Sequence, residues 1–411
     1  MLAKPKKISQ VYLDHAATTA VRPEVMREMA PYFSARFGNP SSLYNLGREA
    51  GQTLLACRKK FANLLHTQPG CLIFTGGGTE SDNLAIFGVA RAHAKSGRHI
   101  IASRIEHHAV IHPLEELQKE GFAITWLKVD KYGLVSPQEV AKAIRPDTIL
   151  ISVMFANNEV GSIQPLADIG REILKYRQAN KTVYPYFHSD ACQAAGYLEL
   201  DVEKLHVDLL TLNGSKIYGP KGVGLLYLRA GVKIKPMIIG GGQERNLRSG
   251  TENIPAIVGF TKAFELAQAD RAKEGERVRK LAEYLWTGLQ KNIDKIKLNG
   301  PAIGAQRLAN NLNITFQDIE GEALLLYLDE YGIMCSTGSA CTSESLEPSH
   351  VLTAMGLPYE DAHGSLRFSL GRENTKADAD YLIKYLPPIV KVLREMSPVN
   401  LGVKKHARYK R

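Results

Sequence analysis

A lysine in a glycine-rich segment is the first candidate for chemistry in this sequence. Residues 213–222 read NGSKIYGPKG and lie between two apolar, strand-like runs. A lysine amine can form a Schiff base with a carbonyl compound when its surroundings lower its pKa. Lys216 and Lys221 are both candidates for that role, and a solvated hairpin with two surface lysines is the plainer structural alternative.

The second candidate is a thiol in a segment of small residues. Residues 335–345 read CSTGSACTSES, so the segment buries little and can move. Cys341 is suited to act as a travelling nucleophile, because a cysteine in such a loop can be both exposed and mobile. Its thiolate fraction must be raised by a cationic neighbour or by the substrate. An incidental surface cysteine is the less favoured interpretation, since exposed free thiols are reactive liabilities.

An anion site is expected where an apolar run meets a glycine turn. Residues 75–83 read TGGGTESDN, follow the apolar run 72–74 and precede a helical stretch. The N-terminus of a helix presents unpaired N–H groups and the positive end of the helix dipole, so a phosphate could bind there. The pattern matches neither a P-loop nor a dinucleotide fingerprint, and a tight turn with a threonine cap is an equally weighted alternative.

Other polar residues at the ends of strand-like runs could complete a site. Asp190, in FHSDACQ, could keep a ring nitrogen protonated, although an aspartate there is more often a turn former or a helix cap. A histidine of EHHAV can stack on a planar ring, and an asparagine of NNEVG can bond a ring hydroxyl. An arginine of RSGT or RFSLGR can grip a carboxylate through two N–H groups. Considered singly, each has an ordinary structural explanation.

The elements that must position these residues alternate between strands and helices. Strand-like runs are expected at 72–74, 99–103, 123–129, 148–155, 183–188, 209–212 and 224–228. Helical stretches separate most of them, including 168–178, and another helical pattern follows Pro23. This alternation predicts an α/β layer on a mostly parallel sheet, with its sites beyond the carboxyl ends of the strands.

The pattern changes near residue 260. A long polar-amphipathic helix reaches about residue 289, and a smaller α+β region follows it. That region is expected to contain strands at 312–316 and 366–370, a helix at 322–331 and a final helix from about residue 378.

Composition and charge narrow the class of protein. The 411 residues are 44% hydrophobic and 23% charged, which excludes collagen-like, coiled-coil and mainly disordered chains. The length favours two domains, or one large domain with an appendage. Basic residues exceed acidic ones by ten, and eight of the basic residues lie at the two ends, in 4–7 and 404–411. A nearly neutral body with two basic tails argues against a dedicated nucleic-acid binder.

The cysteines and the apolar runs bear on location. The five cysteines form no CxxC pair and no zinc-type spacing, which favours a reducing compartment. We recognise no signal peptide, and no apolar run approaches the roughly 18 residues that a membrane span needs. A cytoplasmic protein without a membrane anchor is expected.

Taken together and in order, these segments resemble the group I cysteine desulfurases, the NifS/IscS-like branch of the class V pyridoxal-phosphate aminotransferase family. The matching strings are YLDHAATT, FGNPSS, TGGGTESDNLAI, EHHAV, NNEVG, HSDACQ, KIYGPKG, RSGT, STGSACTS, LEPS and RFSLGR. They extend from about residue 11 to residue 397, which is nearly the whole chain.

The resemblance implies the fold type I of pyridoxal-phosphate-dependent transferases. The expected large α/β domain, residues 16–260, binds the cofactor and contains a mostly parallel seven-stranded sheet flanked by helices. A smaller α+β C-terminal domain, residues 261–397 together with 1–15, carries the loop with Cys341. Residues 398–411 form a basic tail.

The resemblance also assigns roles to single residues. In such enzymes the lysine of the KIYGPKG-like segment holds pyridoxal 5′-phosphate, which selects Lys216 over Lys221. The other cofactor contacts that it implies are Gly78 and Thr79 at the phosphate, His107 stacked on the ring, Asn158 and Gln193 at the phenolic oxygen, Asp190 at the pyridine nitrogen, Asn213 and Ser215 beside Lys216, and Thr251 from the neighbouring subunit of a homodimer.

The implied reaction converts L-cysteine to L-alanine. Arg367, with Asn158, is expected to bind the substrate carboxylate, His107 to share in proton transfer, and Cys341 to attack the sulfur and keep it as a persulfide. The acceptor would be an iron–sulfur scaffold or a tRNA-thiolation enzyme. No resident metal is implied, and Cys341 is the residue that could ligate an iron–sulfur cluster transiently.

Two departures from the family pattern leave alternatives open. Asn213-Gly214-Ser215-Lys216 stands where the family reads Ser-Gly-His-Lys, so two residues that usually contact the phosphate are replaced. The C-terminus, LGVKKHARYKR, also differs from the longer tail with which the IscS type docks a scaffold. A selenocysteine lyase or another class V enzyme, and a weakly active scaffold of the same fold, are the alternatives.

Overall fold

The computed structural model describes residues 8–337 and 347–396. Within them the chain divides into two compact units. The large unit comprises Ala16–Asn158 and Ser162–Gly275, and the small unit comprises the residues up to His15, Glu159–Gly161 and the residues from Glu276 onward. Cys341, the expected nucleophile, lies outside the described residues.

The strands of the described residues are, in chain order, β1 (Val11–Tyr12), β2 (Leu72–Thr75), β3 (His99–Ser103), β4 (Ala123–Leu127), β5 (Thr148–Ser152), β6 (Tyr186–Asp190), β7 (Leu209–Asn213), β8 (Gly224–Leu228), β9 (Ile296–Asn299), β10 (Asn311–Phe316), β11 (Ile333–Met334), β12 (Ser336–Thr337) and β13 (Ser365–Ser369). The helices are α1 (Pro23–Met29), α2 (Pro31–Ser34), α3 (Asn45–Leu65), α4 (Gly78–His93), α5 (His108–Lys119), α6 (Pro137–Ala143), α7 (Leu166–Asn180), α8 (Val202–Leu205), α9 (Ile254–Asn292), α10 (Gly321–Asp329), α11 (His350–Ala354), α12 (Tyr359–His363) and α13 (Lys376–Met396).

The large unit is built on a seven-stranded sheet with the order β2-β8-β7-β6-β5-β3-β4. The pairs from β7 to β4 are parallel, whereas β8 runs antiparallel to both of its neighbours. The predicted mostly parallel sheet is therefore confirmed. Since β2 and β7 each run opposite to β8, the carboxyl ends of β2, β3, β5, β6 and β7 lie at one edge of the sheet.

Several element bounds differ from the sequence prediction for local reasons. β6 begins at Tyr186 rather than at residue 183, because Pro185 before it has no N–H for the ladder. The helical pattern after Pro23 is divided into α1 and α2 at Pro31. The sequence prediction did not name α3, whose buried residues Ala50, Leu54, Phe61 and Leu65 nevertheless recur at helical spacing.

The small unit contains a four-stranded antiparallel sheet with the order β12-β13-β10-β9. Leucine, isoleucine and phenylalanine side chains of β10 and β13 form a core with the second half of α9 and with α10 and α13. A separate parallel pair joins β1 to β11. The division between the units runs through α9, because Gly275 belongs to the large unit and Glu276 to the small unit. No helix of the described residues is long and apolar enough to cross a membrane.

We expect Phe61→Ala to lower the free energy of unfolding by about 3–5 kcal/mol, because the ring is fully buried and its loss leaves a cavity. Its centroid lies 4.8 Å from that of Phe260, 4.9 Å from that of Phe264 and 5.9 Å from that of Phe74. Urea unfolding followed by circular dichroism measures the change. Leu326→Ala, at an exposed position of α10, is the control and should stay within about 0.5 kcal/mol of the parent protein. Equal losses in both variants would contradict this account of the core.

Candidate active site

The turn between β2 and α4 lies close to the neighbouring strand ends. A Cβ at residue 224, the first residue of β8, would come within 2.6 Å of the Gly77 backbone. A Cβ on Gly78 would lie 2.9 Å from Cys192 Sγ and 3.2 Å from Asn213 Nδ2. Glycine at both positions therefore lets the first turn of α4 reach the ends of β6 and β7.

This arrangement creates a place for an anion. Gly78 and the exposed Thr79 are the first two residues of α4, which is 16 residues long. Their N–H groups have no acceptor within the helix. Asn213 Oδ1 is buried and has no hydrogen-bond partner among the described residues. An asparagine amide can be turned to offer its NH2 group instead, so Asn213 can contribute a donor beside the helix N-terminus.

Asp190 ends β6 and belongs to a buried polar group. Its Oδ1 accepts the N–H of Cys192 at 2.9 Å. On the same face of β6, His188 lies between two hydroxyls: its Nδ1 is 2.9 Å from Ser152 Oγ and its Nε2 is 3.1 Å from Thr211 Oγ1. Burial lowers the pKa of His188 to about 4, so its ring is neutral at pH 7.

Asp82 of α4 approaches this group from the helix. Its Oδ1 is 3.5 Å from His188 Nε2. Burial, followed by the negative charge of Asp190, raises the pKa of Asp82 well above its usual value. A neutral Asp82 avoids two adjacent negative charges in a buried place. The sequence predicts no role for Asp82 or His188, although His188 precedes Asp190 by two residues and so must share its face of the strand.

Lys216 follows β7 in the loop that returns to β8. It is half-buried, and its Nζ donates to the carbonyl oxygen of Ala17, whereas Lys221 is exposed. The carbonyl of Ser215 accepts both the N–H and the hydroxyl of Thr19, each at 3.0 Å. The positive charge of Lys216 acts on the Cys192 thiol, so the amine and Asp190 share one neighbourhood. The two lysines that the sequence leaves as rivals thus have different surroundings.

His107 stands immediately before α5 and caps it. Its Nδ1 accepts the N–H of Ala109 at 3.1 Å, which leaves the ring proton on Nε2. The preceding Glu106 is buried, accepts the N–H of Met154 at 2.9 Å and is bonded by the Ser103 hydroxyl. Burial raises the pKa of Glu106 to about 8. Glu106 belongs to the EHHAV motif, in which only a histidine had a predicted role.

The remaining expected cofactor contacts of the large unit are partly buried or exposed. Gln193 is half-buried, and its amide donates to the Ala16 carbonyl at 2.9 Å. Asn158 is half-buried and ends the first part of the large unit. Thr251 is exposed, and no hydrogen bond within the described residues ties it to the turn before α4 of its own chain.

Arg367 lies in the small unit, on β13. It pairs across the sheet with Ser336 of β12 on one side and with Asn313 of β10 on the other. It is only 4% exposed, and its Nη2 donates to Asp14 Oδ1 at 2.7 Å. Cys335 lies nearby, and burial raises the pKa of its thiol.

The large unit therefore brings Gly78, Asp190, Asn213 and Lys216 to one edge of its sheet. His107 lies in the loop between β3 and α5. Arg367 is part of the small unit. Among the described residues, no three His, Cys, Asp or Glu side chains are grouped so that they could hold a metal ion.

Comparison with known proteins gives close relatives along nearly the whole chain. The sequence model of the family described as Aminotransferase class-V matches residues 11–382. The cysteine desulfurase IscS of Methanosarcina thermophila is 54% identical over 389 residues, which cover 95% of this chain and 94% of the relative.

Solved structures agree with the sequence relatives. One described as a NifS-like protein is similar with a TM-score of 0.86 at 38% identity, covering 94% of this chain and 100% of its own. Another, described as SspA in complex with cysteine, has a TM-score of 0.77 at 35% identity and covers 88% and 99% of the two chains.

We expect His188 to make the free energy of unfolding depend on pH. In the unfolded chain a histidine takes up a proton near pH 6.5, whereas folded His188 takes it up only near pH 4. The unfolded state binds more protons in that window, so stability is lost as the pH falls from 6.5 to 4, by about 3 kcal/mol. Urea unfolding at pH 7 and pH 4 measures the loss.

His188→Gln keeps a donor and an acceptor but cannot titrate, so its stability should fall by about 3 kcal/mol less over the same window. His112→Gln, at an exposed position of α5, is the control and should retain the full dependence. Parallel curves for the parent protein and His188→Gln would refute the assignment.

Proposed function

Since the chain belongs to the class V aminotransferase family, among its cysteine desulfurases, we propose that it converts L-cysteine to L-alanine with pyridoxal 5′-phosphate and leaves the sulfur as a persulfide on Cys341. The observation that carries the proposal is the edge of the large unit's sheet, where Lys216 and Asp190 stand beside the open N-terminus of α4. The relative described as SspA in complex with cysteine supports cysteine as the substrate.

The residues present fit the cofactor. The N–H groups of Gly78 and Thr79 would bind its phosphate, and Asn213, whose amide borders the same turn, would take over a contact made by the serine usual in this family. Lys216 would hold the cofactor, with Ser215 beside it, and Asp190 would accept the N–H of the pyridine ring. His107 would stack on the ring, and Gln193 and Asn158 would bond its phenolic oxygen.

When bound, the cofactor supplies a protonated ring that withdraws electrons from the Cα of the substrate. Asp190 would hold the proton on the ring nitrogen, because a carboxylate stabilises the adjacent cation. Asp82 behind it would remain protonated, so one negative charge rather than two faces the ring. Lys216 Nζ and His107 Nε2 are the groups that would move protons to and from the substrate.

In the sulfur transfer, one bond forms and one bond breaks, and the atoms involved are the Cys341 sulfur, the substrate sulfur and the substrate Cβ. The thiolate of Cys341 would form an S–S bond to the cysteine sulfur while the bond from that sulfur to the substrate Cβ breaks. The electron pair stays on carbon, which takes up a proton to become the methyl group of alanine. Arg367, with Asn158, would hold the substrate carboxylate through two N–H groups during this step.

We further infer a homodimer that delivers the sulfur to an acceptor of iron–sulfur cluster assembly or tRNA thiolation. Large apolar side chains are exposed on α1, α2 and the segment after them, among them Phe37 at 67% and Leu43 at 88%. Such a patch is typical of an interaction surface. In a dimer, exposed Thr251 would complete the phosphate site of the neighbouring subunit.

We expect the purified protein to release alanine and sulfide in equal amounts from cysteine and a reductant. Lys216→Ala should lose the visible absorbance of the bound cofactor and the activity, whereas Cys341→Ser should keep the absorbance and lose sulfur transfer roughly a thousandfold or more. Lys221→Ala, at the exposed neighbouring lysine, is the control and should resemble the parent protein. Unequal yields, or sulfur transfer that survives in Cys341→Ser, would exclude the proposed reaction.

We expect Phe37→Asp to raise the dissociation constant of the dimer at least about tenfold, because it introduces a charge into an apolar interface. Retention of the cofactor should fall with it, since Thr251 acts across the dimer. Sedimentation velocity and cofactor absorbance on dilution measure the two effects. Leu326→Asp, exposed on α10 of the small unit, should change neither, and an unaltered dimer in Phe37→Asp would exclude this patch as the interface.

A further inference from the structure

Glu159 is a buried carboxyl group that the proposed reaction does not use. It follows Asn158 directly but belongs to the small unit, and it is only 4% exposed. Its carbonyl oxygen accepts the side-chain amide of Asn311 at 3.1 Å and that of Asn313 at 3.2 Å. These two bonds fasten Glu159 onto β10.

Arg367 lies beside Asn313 on the neighbouring strand of the small unit's sheet. Asn313 is the direct partner of Arg367 across the β10–β13 ladder, so the two side chains stand on one face of the sheet. The guanidinium charge of Arg367 acts on the Glu159 carboxyl, and Asp14 binds Arg367 Nη2 from another segment. Arg367 therefore lies under the influence of two carboxyl groups.

Glu159 also binds the residue that precedes α11. The hydroxyl of Ser349 donates to Glu159 Oε2 at 2.5 Å, and the same oxygen of Ser349 caps α11 by accepting the N–H of Leu352 at 3.2 Å. Before Cys341 in the chain, Ser336 is the cross-strand partner of Arg367 in the β12–β13 ladder. The described residues Ser336 and Ser349, which precede and follow Cys341 in the chain, are thus paired with Arg367 or bound to Glu159.

We propose that Glu159 is a positioning residue of the substrate-carboxylate site. When ionised, Glu159 shares the positive charge of Arg367 with Asp14, and when it takes up a proton it leaves that charge to the substrate. This inference rests on the proposed function, in which Arg367 binds the carboxylate of cysteine. Glu159 acts through Arg367 and is not assigned a contact with the substrate.

The electrostatics of the small unit support this exchange. Burial raises the pKa of Glu159 to about 7, against the opposing effects of the Ser349 hydrogen bond and the Arg367 charge. The carboxyl group of Glu159 interacts with the Ser349 hydroxyl before α11 and with the charge of Arg367 on β13, which Asp14 also binds. The neutral amides of Asn311 and Asn313 of β10 bind its backbone carbonyl. A substrate carboxylate adds a further negative charge beside Arg367 and so favours the protonated form of Glu159.

The direction of the pH dependence follows from the competition for Arg367. Below pH 7 Glu159 is neutral, still accepts the Ser349 hydrogen bond and leaves the guanidinium to the substrate. Above pH 7 its carboxylate competes with the substrate for the same positive charge. If the ionised form does not bind substrate, the KM of the parent protein should rise about tenfold between pH 6 and pH 8 from this group alone.

Glu159→Gln tests the proposal because glutamine keeps the shape and the acceptor for Ser349 but cannot ionise. Steady-state kinetics with cysteine from pH 6 to pH 8.5 give KM and kcat for both proteins, and the ratio at each pH cancels the ionisation of cysteine itself. We expect the KM ratio of parent to variant to be near one at pH 6 and about tenfold at pH 8, with a kcat ratio that does not change with pH. A KM ratio independent of pH, whether near one or uniformly altered, would overturn the proposal.

A binding measurement separates this inference from the reaction. Calorimetric titration of the cofactor-loaded protein with L-alanine, in two buffers of different ionisation enthalpy, counts the protons taken up. At pH 7 the parent protein should take up about half a proton more than Glu159→Gln, since Glu159 is half ionised there. Equal uptake would overturn the role of Glu159 even where cysteine is converted to alanine, whereas absent conversion with unequal uptake would overturn only the proposed reaction.

Two further variants test the assignment through residues other than Glu159. Ser349→Ala removes a hydrogen bond that favours the ionised carboxyl, so the rise in KM should move to higher pH. Glu322→Gln removes one negative charge from an exposed position of α10 and should leave the KM profile unchanged. A rise in KM that stays in place in Ser349→Ala would count against the proposal.

Discussion

The turn between β2 and α4 must fold back over the first residue of β8, and the candidate cofactor site depends on that close approach. A side chain at residue 224 would collide with the Gly77 backbone, and one at residue 78 would collide with Cys192. Without these side chains the N-terminus of a long helix lies against the ends of two parallel strands. Unpaired N–H groups, a strand-end aspartate and a loop lysine then occur at one edge of the sheet, as expected for an α/β layer.

The second constraint is the cost of burying carboxyl groups. The large unit buries Asp82 and Glu106 near Asp190, and burial favours their neutral forms. Elsewhere in the unit a buried carboxyl group has close partners, since Glu244 binds the Arg58 guanidinium and accepts the N–H of Phe74 at 3.0 Å. The charge that faces the proposed pyridine nitrogen is thus limited by the surroundings of Asp190 and not by Asp190 alone.

In the small unit, one cation, Arg367, interacts with two carboxyl groups. Asp14 pairs directly with Arg367. The Glu159 carboxyl group accepts the Ser349 hydroxyl and interacts with Arg367 through its charge. Neighbouring residues Asn158 and Glu159 therefore serve different units, because the chain crosses from one to the other between them. A carboxyl group of this kind can respond to a charged ligand by taking up a proton, whereas an exposed pair would respond little.

Residue type and periodicity by themselves determine the α/β class, the two regions of the chain and the segments that could do chemistry. β3 and β8 have the predicted bounds because strands buried on both faces appear as continuous apolar runs. The ordered motifs also identify the family and predict Lys216 as the cofactor lysine. The states of Asp82, Glu106, His188 and Glu159 were decided only by the tertiary structure. A pKa depends on burial and on charges that are distant in sequence, and no local pattern contains either quantity.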